Sequence, residues 1–216
     1  MSARKPKSKA KFIAIEGGEG SGKSSLMIAL KEALGDAIIT SREPGGSPYA
    51  EVIRQATLKN PLAKDAPPET TMCLMFAARF DHVKNLVKPA LDAGTSVITD
   101  RFDGSSYAYN VWAQANGKLE DVFWYLRKRL ATVPDLYIYV DVAIEEGMRR
   151  AHSRNQSLLK GQYDHFDDRE KSFHTKVAEG YKKFLSHVPH IIIDGNQPLE
   201  EVKKDFISEI RKRLAA

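Results

Sequence analysis

Between the apolar stretch Phe12–Glu16 and a helix-compatible run from Ser24 lies Gly17-Gly18-Glu19-Gly20-Ser21-Gly22-Lys23-Ser24. No other segment limits the possible folds of this chain so tightly. It is a complete G-x-x-x-x-G-K-[ST] phosphate loop. Its glycines let the backbone curl until N–H groups converge, and the following helix N-terminus adds partial positive charge. Such a loop requires a strand before it and a helix after it. Phe12-Ile13-Ala14-Ile15 supplies the first and Leu26-Met27-Ile28-Ala29-Leu30 the second. Lys23 can then reach the β- and γ-phosphates of a nucleoside triphosphate, and the Ser24 hydroxyl can ligate Mg²⁺. With Gly17, Gly18, Gly20, Ser21, Gly22 and Ser25, these residues form the expected triphosphate-binding set.

Short apolar runs alternate with longer helical patterns along the rest of the chain. Strands are expected at Phe12–Glu16, Ala37–Ser41, Ser96–Thr99, Leu136–Val140 and His190–Asp194. Helices are expected near Ser24–Leu34, Tyr49–Leu58, Glu69–Ala93, Gly104–Gln114, Glu120–Ala131, Ile144–Ser153, Glu170–Ser186 and Leu199–Leu214. Strands separated by helices predict right-handed crossovers and a parallel sheet covered on both faces. The reading is a three-layer P-loop α/β fold around a central five-stranded parallel sheet. Ligands of such sheets gather at the carboxyl ends of the strands. Each expected strand ends in or runs into polar residues there: Glu16-Gly17, Arg42-Glu43, Asp100-Arg101, Asp141 and Asp194.

Composition narrows the class. The 216 residues, 42% hydrophobic and 28% charged, suit one soluble domain with a proper core. No stretch approaches the roughly 20 apolar residues of a membrane span, and no signal-peptide core is visible. The single cysteine, Cys73, excludes an intramolecular disulfide. Its neighbours Thr71-Met72 and Leu74-Met75 place it in a helix core, and a reducing cytoplasm is the natural compartment. The net charge of +5 is matched by Arg4, Lys5, Lys7, Lys9 and Lys11 in a tail without acids. That tail, residues 1–11, reads either as a nucleic-acid arm or, the reading preferred, as a disordered solubilising extension. The domain proper is then 12–216.

Four further constellations narrow the substrate. Arg42-Glu43-Pro44-Gly45-Gly46 ends the second strand, where a Pro-Gly-Gly turn brings backbone close to a ligand, and Arg54 follows on the next helix. Phe76 and Arg79, three residues apart on a helix, share a face. The ring can stack on a nucleobase and the guanidinium can donate to base carbonyls. Asp100 stands where a strand-end carboxylate would hold Mg²⁺ through water. Beside it Arg101 can clamp phosphate, while Ser106, Tyr109 and Asn110 share one face of the next helix. Finally Arg149, Arg150 and Arg154 open a basic stretch to about residue 168. It suits a mobile lid, which would exclude water and stabilise a moving phosphoryl group.

With these residues in view, the chain resembles the thymidylate kinases, from about Lys11 to Arg213. The signposts are Ile15-Glu16-Gly17, Arg42-Glu43-Pro44-Gly45-Gly46, Leu74-Met75-Phe76-Ala77-Ala78-Arg79, Asp100-Arg101 with Ser105-Ser106-Tyr107-Ala108-Tyr109, Tyr139-Val140-Asp141-Val142 and Asp194-Gly195-Asn196-Gln197-Pro198. The resemblance implies a nucleoside monophosphate kinase fold and Mg²⁺-dependent transfer of phosphate from ATP to dTMP in a homodimer. It implies that Glu19 meets the deoxyribose 3′-hydroxyl, and that Arg54 and Arg101 hold the dTMP phosphate. Glu43 and Asp100 would organise that region and Mg²⁺, with Pro44 in the substrate-binding set. Phe76 would stack on thymine, Arg79 bond its carbonyl, and Ser106 and Asn110 read its other edge, with Tyr109 also in the substrate-binding set. Asn196 and Gln197 would border adenine. The P-loop lacks the arginine that some members carry. Lid arginines, Arg154 and Arg150 foremost, are then the candidates to act with Lys23 and Arg101 in catalysis.

The chain departs from the bacterial pattern at Asn110-Val111-Trp112-Ala113, where that pattern has Gln and several glycines. It departs again in a longer lid with Asp164-His165-Phe166-Asp167 in place of Asp-Arg-x-Glu. A broader pyrimidine deoxynucleotide acceptor, or the nucleoside itself, is the alternative within the kinase class. Outside it stands a P-loop ATPase stimulated by nucleic acid through the tail. Arg54 and Arg101 argue against a bare nucleoside, which has no phosphate for them, and the Phe76/Arg79 and Asp100/Arg101 pairs argue against the ATPase.

Overall fold

The protein is described here by a computed structural model covering residues 9–156 and 169–215. The basic tail up to residue 8 and the distal part of the expected lid, including Asp164-His165-Phe166-Asp167, lie outside the described residues. Five strands, β1 (Phe12–Glu16), β2 (Ile38–Arg42), β3 (Ser96–Asp100), β4 (Leu136–Asp141) and β5 (His190–Asp194), pair in parallel in the order β2-β3-β1-β4-β5. The order reverses at β1, whose neighbours β3 and β4 both come later in the chain. The carboxyl end of β1 is therefore the switch point where parallel sheets bind ligands.

Alternation along β1 divides the interior. Phe12 and Ala14 face one core, built with Phe76, Tyr107, Phe123, Tyr181 and Phe184. Ile13 and Ile15 face the other, shared with Leu26, Leu30, Val202, Phe206 and Ile210. Helices α1 (Lys23–Leu34) and α9 (Leu199–Ala215) cover the second face. The first is covered by α3 (Pro68–His82), α5 (Asp103–Ser106), α6 (Glu120–Arg127) and α8 (Lys171–Leu185). Between these come α2 (Pro48–Arg54), α4 (Lys88–Asp92) and α7 (Ile144–Gln156). Period-two parity then assigns Glu16 to the Phe12 side, where a carboxylate is fully buried.

Three helices depart from plain α geometry. Helix α2 runs into a π-helical turn at Gln55–Lys59, α3 into one at Val83–Val87, and α5 into a longer π segment, Tyr107–Gln114. The expected Tyr49–Leu58, Glu69–Ala93 and Gly104–Gln114 helices all exist, but each is widened where it nears the strand ends. Helix α7 continues through the first part of the expected lid, so Arg149 to Gln156 are helical. One expectation is corrected. Cys73 is exposed, not core, because the buried stripe of α3 runs through Thr71, Met72, Met75, Phe76 and Arg79 and leaves positions 73 and 77 outward.

Candidate active site

The loop from Gly17 to Gly22 bridges β1 and α1. Gly22, at φ 88°, caps α1 in a left-handed conformation that a side chain would strain. Lys23 folds back over the loop, where its Nζ donates to the Gly17 and Gly18 carbonyls and to Ser21 Oγ, each at 2.9 Å. Burial lowers its pKa to about 8, helped by the charge of Arg101 and opposed by Asp100 and Glu19. At neutral pH it remains a cation. Gly20, Ser21, Gly22, Lys23, Ser24 and Ser25 line a cleft of about 910 Å³. Its far end is formed by Asn196, Gln197 and Pro198, and its flank by Arg149, Arg150 and Arg154 of α7. Arg150 donates to Glu146 Oε1 (2.7 Å) and to the Gly195 carbonyl (3.1 Å), which ties the basic helix to the Asn196 turn.

A second, smaller cavity of about 120 Å³ opens at the ends of β2 and β3. Glu43, Pro44, Arg79, Ser106, Tyr109 and Asn110 line it, as expected from their places in the sequence. Arg54 donates from Nη1 to the Pro44 carbonyl at 2.7 Å and borders both spaces. Arg79 is buried between the Phe76 and Phe102 rings, 4.7 and 4.9 Å from their centroids. Its Nε donates to Glu43 Oε2 at 2.7 Å, and Nη2 to the Phe102 carbonyl and Ser106 Oγ. Asn110 Nδ2 donates to Gln114 Oε1 at 2.9 Å.

The two spaces meet at Glu19, Arg54, Asp100 and Arg101. Arg101 has φ 66°, a strained backbone for a long side chain. Its N–H is fixed by the Ile15 carbonyl at 2.8 Å. Its guanidinium donates to Glu19 Oε1 (2.8 Å) and, at 3.1 Å, to the Gly17 carbonyl, Ser105 Oγ and Tyr181. Behind it Glu16 accepts from the Phe102 and Ser105 amides and from Ser105 Oγ. Burial raises the Glu16 carboxyl above its usual value, against the Ser105 hydrogen bond. Tyr109 donates to Glu19 at 2.8 Å, and burial next to that carboxylate keeps it a neutral phenol. Asp100 Oδ1 is buried with no hydrogen-bond partner among the described residues.

Phe76 is placed differently from the sequence expectation. Its ring is 1% exposed and packs edge-on against Phe123, 5.5 Å between centroids, away from the cavity. Met75, about 100° earlier around α3, lines the cavity in its place. Leu58, Phe102 and Ser105 also line it, while Lys59 reaches the cleft. Leu58 and Lys59 arrive through the π turn after α2, and plain helical spacing gives no hint of it. Ser105 and Tyr181 had a faint signal in the hydroxyl-rich run after Arg101 and in the spacing of α8.

A glycine-rich phosphate loop at the switch point of a parallel sheet, joined through arginines to a second pocket, defines a P-loop nucleotide-binding α/β protein. The family model described as thymidylate kinase matches residues 15–206. Thymidylate kinases of Chlamydia caviae, Lactobacillus acidophilus and Halalkalibacterium halodurans are 39%, 35% and 37% identical to this chain. The alignments cover 88%, 95% and 94% of it and 92%, 96% and 97% of those proteins. The chain belongs to the thymidylate kinase family and is an enzyme.

Proposed function

We propose that the enzyme transfers the γ-phosphate of ATP to the 5′-phosphate of dTMP, giving ADP and dTDP, with Mg²⁺. The observation that carries this reading is the meeting of the phosphate-loop cleft and the smaller cavity at Arg54, Asp100 and Arg101. Two phosphate chains placed end to end would come together there. ATP would lie along Gly17 to Ser25, with Lys23 on its β- and γ-phosphates and its adenine beside Asn196 and Gln197. The dTMP phosphate would be held by Arg54 and Arg101, its 3′-hydroxyl by Glu19, and its base between Pro44, Met75 and Phe102. Arg79 would donate to the thymine 4-carbonyl, while Ser106 and Asn110 face the other edge and Tyr109 closes the sugar side.

No covalent protein intermediate is needed. An oxygen of the dTMP phosphate attacks the γ-phosphorus in line, the bond to the β–γ bridging oxygen breaks, and ADP leaves. The protein supplies alignment and positive charge, with Arg154 first and Arg150 second on the equatorial oxygens. Ser24 and Asp100 would hold Mg²⁺, and the unpartnered, buried Asp100 Oδ1 fits that role. Among the described residues no group of three His, Cys, Asp or Glu side chains could hold a metal alone. Most ligands would then be phosphate oxygens and water, as Mg²⁺ prefers. Bound there, the ion would neutralise charge on the transferring phosphates.

The same reading includes a homodimer formed through α2 and α3, two helices packed together on which Tyr49, Val52, Cys73 and Ala77 are exposed. No helix among the described residues is long and apolar enough to cross a membrane, and an exposed lone thiol fits a reducing cytoplasm. The test is ADP release with ATP, Mg²⁺ and a panel of dTMP, dUMP, dCMP, dGMP and thymidine. A strong preference for dTMP is expected. Thymidine serving as well as dTMP would contradict the roles of Arg54 and Arg101.

A further inference from the structure

Behind the smaller cavity runs a line of polar groups, buried from His82 through Glu43 to Arg79 and half-buried at Ser41, that phosphoryl transfer itself does not use. Ser41 Oγ lies 2.7 Å from His82 Nε2, and His82 Nδ1 lies 2.8 Å from Glu43 Oε1. Glu43 Oε2 accepts from Arg79 Nε at 2.7 Å. A carboxylate only accepts, so Nδ1 carries the proton facing Glu43, while Nε2 shares its hydrogen bond with the Ser41 hydroxyl. His82 has no exposed surface. Its ring also supports the Pro-Gly-Gly turn, since a Cβ on Gly46 would stand 2.6 Å from it. Both Glu43 oxygens are thus engaged. Arg79 Nη1, by contrast, is buried with no hydrogen-bond partner among the described residues, and Arg79 and Glu43 both line the cavity.

We propose that His82 is a positioning residue that sets which base the cavity accepts, by holding Glu43 so that the site offers only donors to the base's 4-position. The inference rests on reading this cavity as the pyrimidine-nucleotide site. The 4-position of thymine or uracil is a carbonyl, an acceptor that Arg79 Nη1 satisfies. The 4-position of cytosine is an amino group, which meets Arg79 donor to donor. A free Glu43 oxygen would welcome that amino group. With Oε1 turned to His82 and Oε2 to Arg79, neither oxygen is turned toward that amino group. Sites built on buried hydrogen bonds discriminate strongly because the wrong partner leaves polar groups unpaired.

The test compares dTMP and dCMP as acceptors for the unmodified enzyme, His82→Leu and His82→Asn. Leucine keeps most of the bulk but releases Glu43 Oε1, whereas the asparagine amide places an N–H near the Nδ1 position. In His82→Leu the ratio of kcat/KM for dTMP to that for dCMP should narrow by roughly tenfold to a hundredfold, the scale of one charge-assisted hydrogen bond. The change should come through KM for the two acceptors, with KM for ATP held, and His82→Asn should recover most of the ratio. Equal losses on both acceptors, with the ratio unchanged, would overturn the proposal. If His82→Leu does not fold, Ser41→Ala removes only the bond that fixes the ring. It should narrow the ratio in the same direction by a smaller factor, and an unchanged ratio there overturns the proposal equally. An unmodified enzyme with no preference for dTMP would fail the reading of the cavity and the inference with it. An intact preference that the variants do not alter would remove the inference alone.

Discussion

At the scale of single residues, one helical position separates two roles. Met75 and Phe76 are adjacent on α3, yet Met75 borders the cavity and Phe76 fills the core beneath Arg79. The roles predict different consequences of truncation. Phe76→Ala should cost about 3–5 kcal/mol of stability, as large-to-small core changes do. Met75 is buried in the same core, so Met75→Ala should also cost stability, but it alone should raise KM for dTMP about tenfold, the worth of one apolar contact surface. Chemical denaturation and initial rates on both variants check this, and the opposite pattern would restore Phe76 to the base. Sequence reading chose Phe76 because aromatic rings stack on bases. Periodicity marks the buried face of α3, but it cannot tell which residue of that face borders a ligand and which fills the core. The Ser41–His82–Glu43 line was equally hidden, since it joins positions far apart in the chain.

His174 of α8 makes a second residue-level prediction. It is buried beside the phosphate loop, its Nε2 has no hydrogen-bond partner among the described residues, and burial lowers its pKa below the usual histidine value. The unfolded chain therefore takes up this proton first as pH falls. The stabilisation is full above the unfolded value near 6.5 and is lost as pH drops through it toward the folded value. Thermal unfolding of His174→Leu should thus lose less between pH 7 and pH 5 than that of the unmodified enzyme. Parallel curves would contradict it.

At the scale of elements, the strands were legible to within a residue at each end, because apolar runs stopped by polar residues leave little freedom. Ile38–Arg42 begins one residue later than expected, and Ser96–Asp100 runs one further. The order of the strands was not legible, since it depends on which helix packs on which face. The π segments escaped notice for a related reason. They answer to tertiary packing: helix α8 lies so close to Tyr107–Gln114 that a Cβ on Gly180 would stand 2.8 Å from Ala108 Cα and 2.8 Å from Trp112 Cβ. Gly180→Val should accordingly destabilise the fold by about 1–3 kcal/mol through overpacking. It should also raise KM for dTMP, because the next residue, Tyr181, bonds Arg101. A thermal midpoint equal to that of the unmodified enzyme would show that the two elements have room to separate.

At the scale of the whole molecule, a sheet switch point brings the ends of β1, β2 and β3 together, and the phosphate loop and Arg101 stand on either side of it. The α2–α3 face lies away from this site, with Tyr49 and Val52 66% and 60% exposed. Val52→Arg should convert a dimer to monomers in light scattering at micromolar concentration, and an unmodified enzyme already monomeric there would refute that interface. The central claim, that two phosphate chains lie end to end across Arg101, is tested most directly by calorimetric binding of adenosine and thymidine joined 5′ to 5′ through a polyphosphate chain. Joining two ligands that occupy adjoining sites raises affinity by about 10²-fold or more over either alone. The account predicts that gain, one molecule per chain, and its loss in Arg101→Ala. An affinity no better than that of ATP, with the thymidine end making no difference, would contradict it.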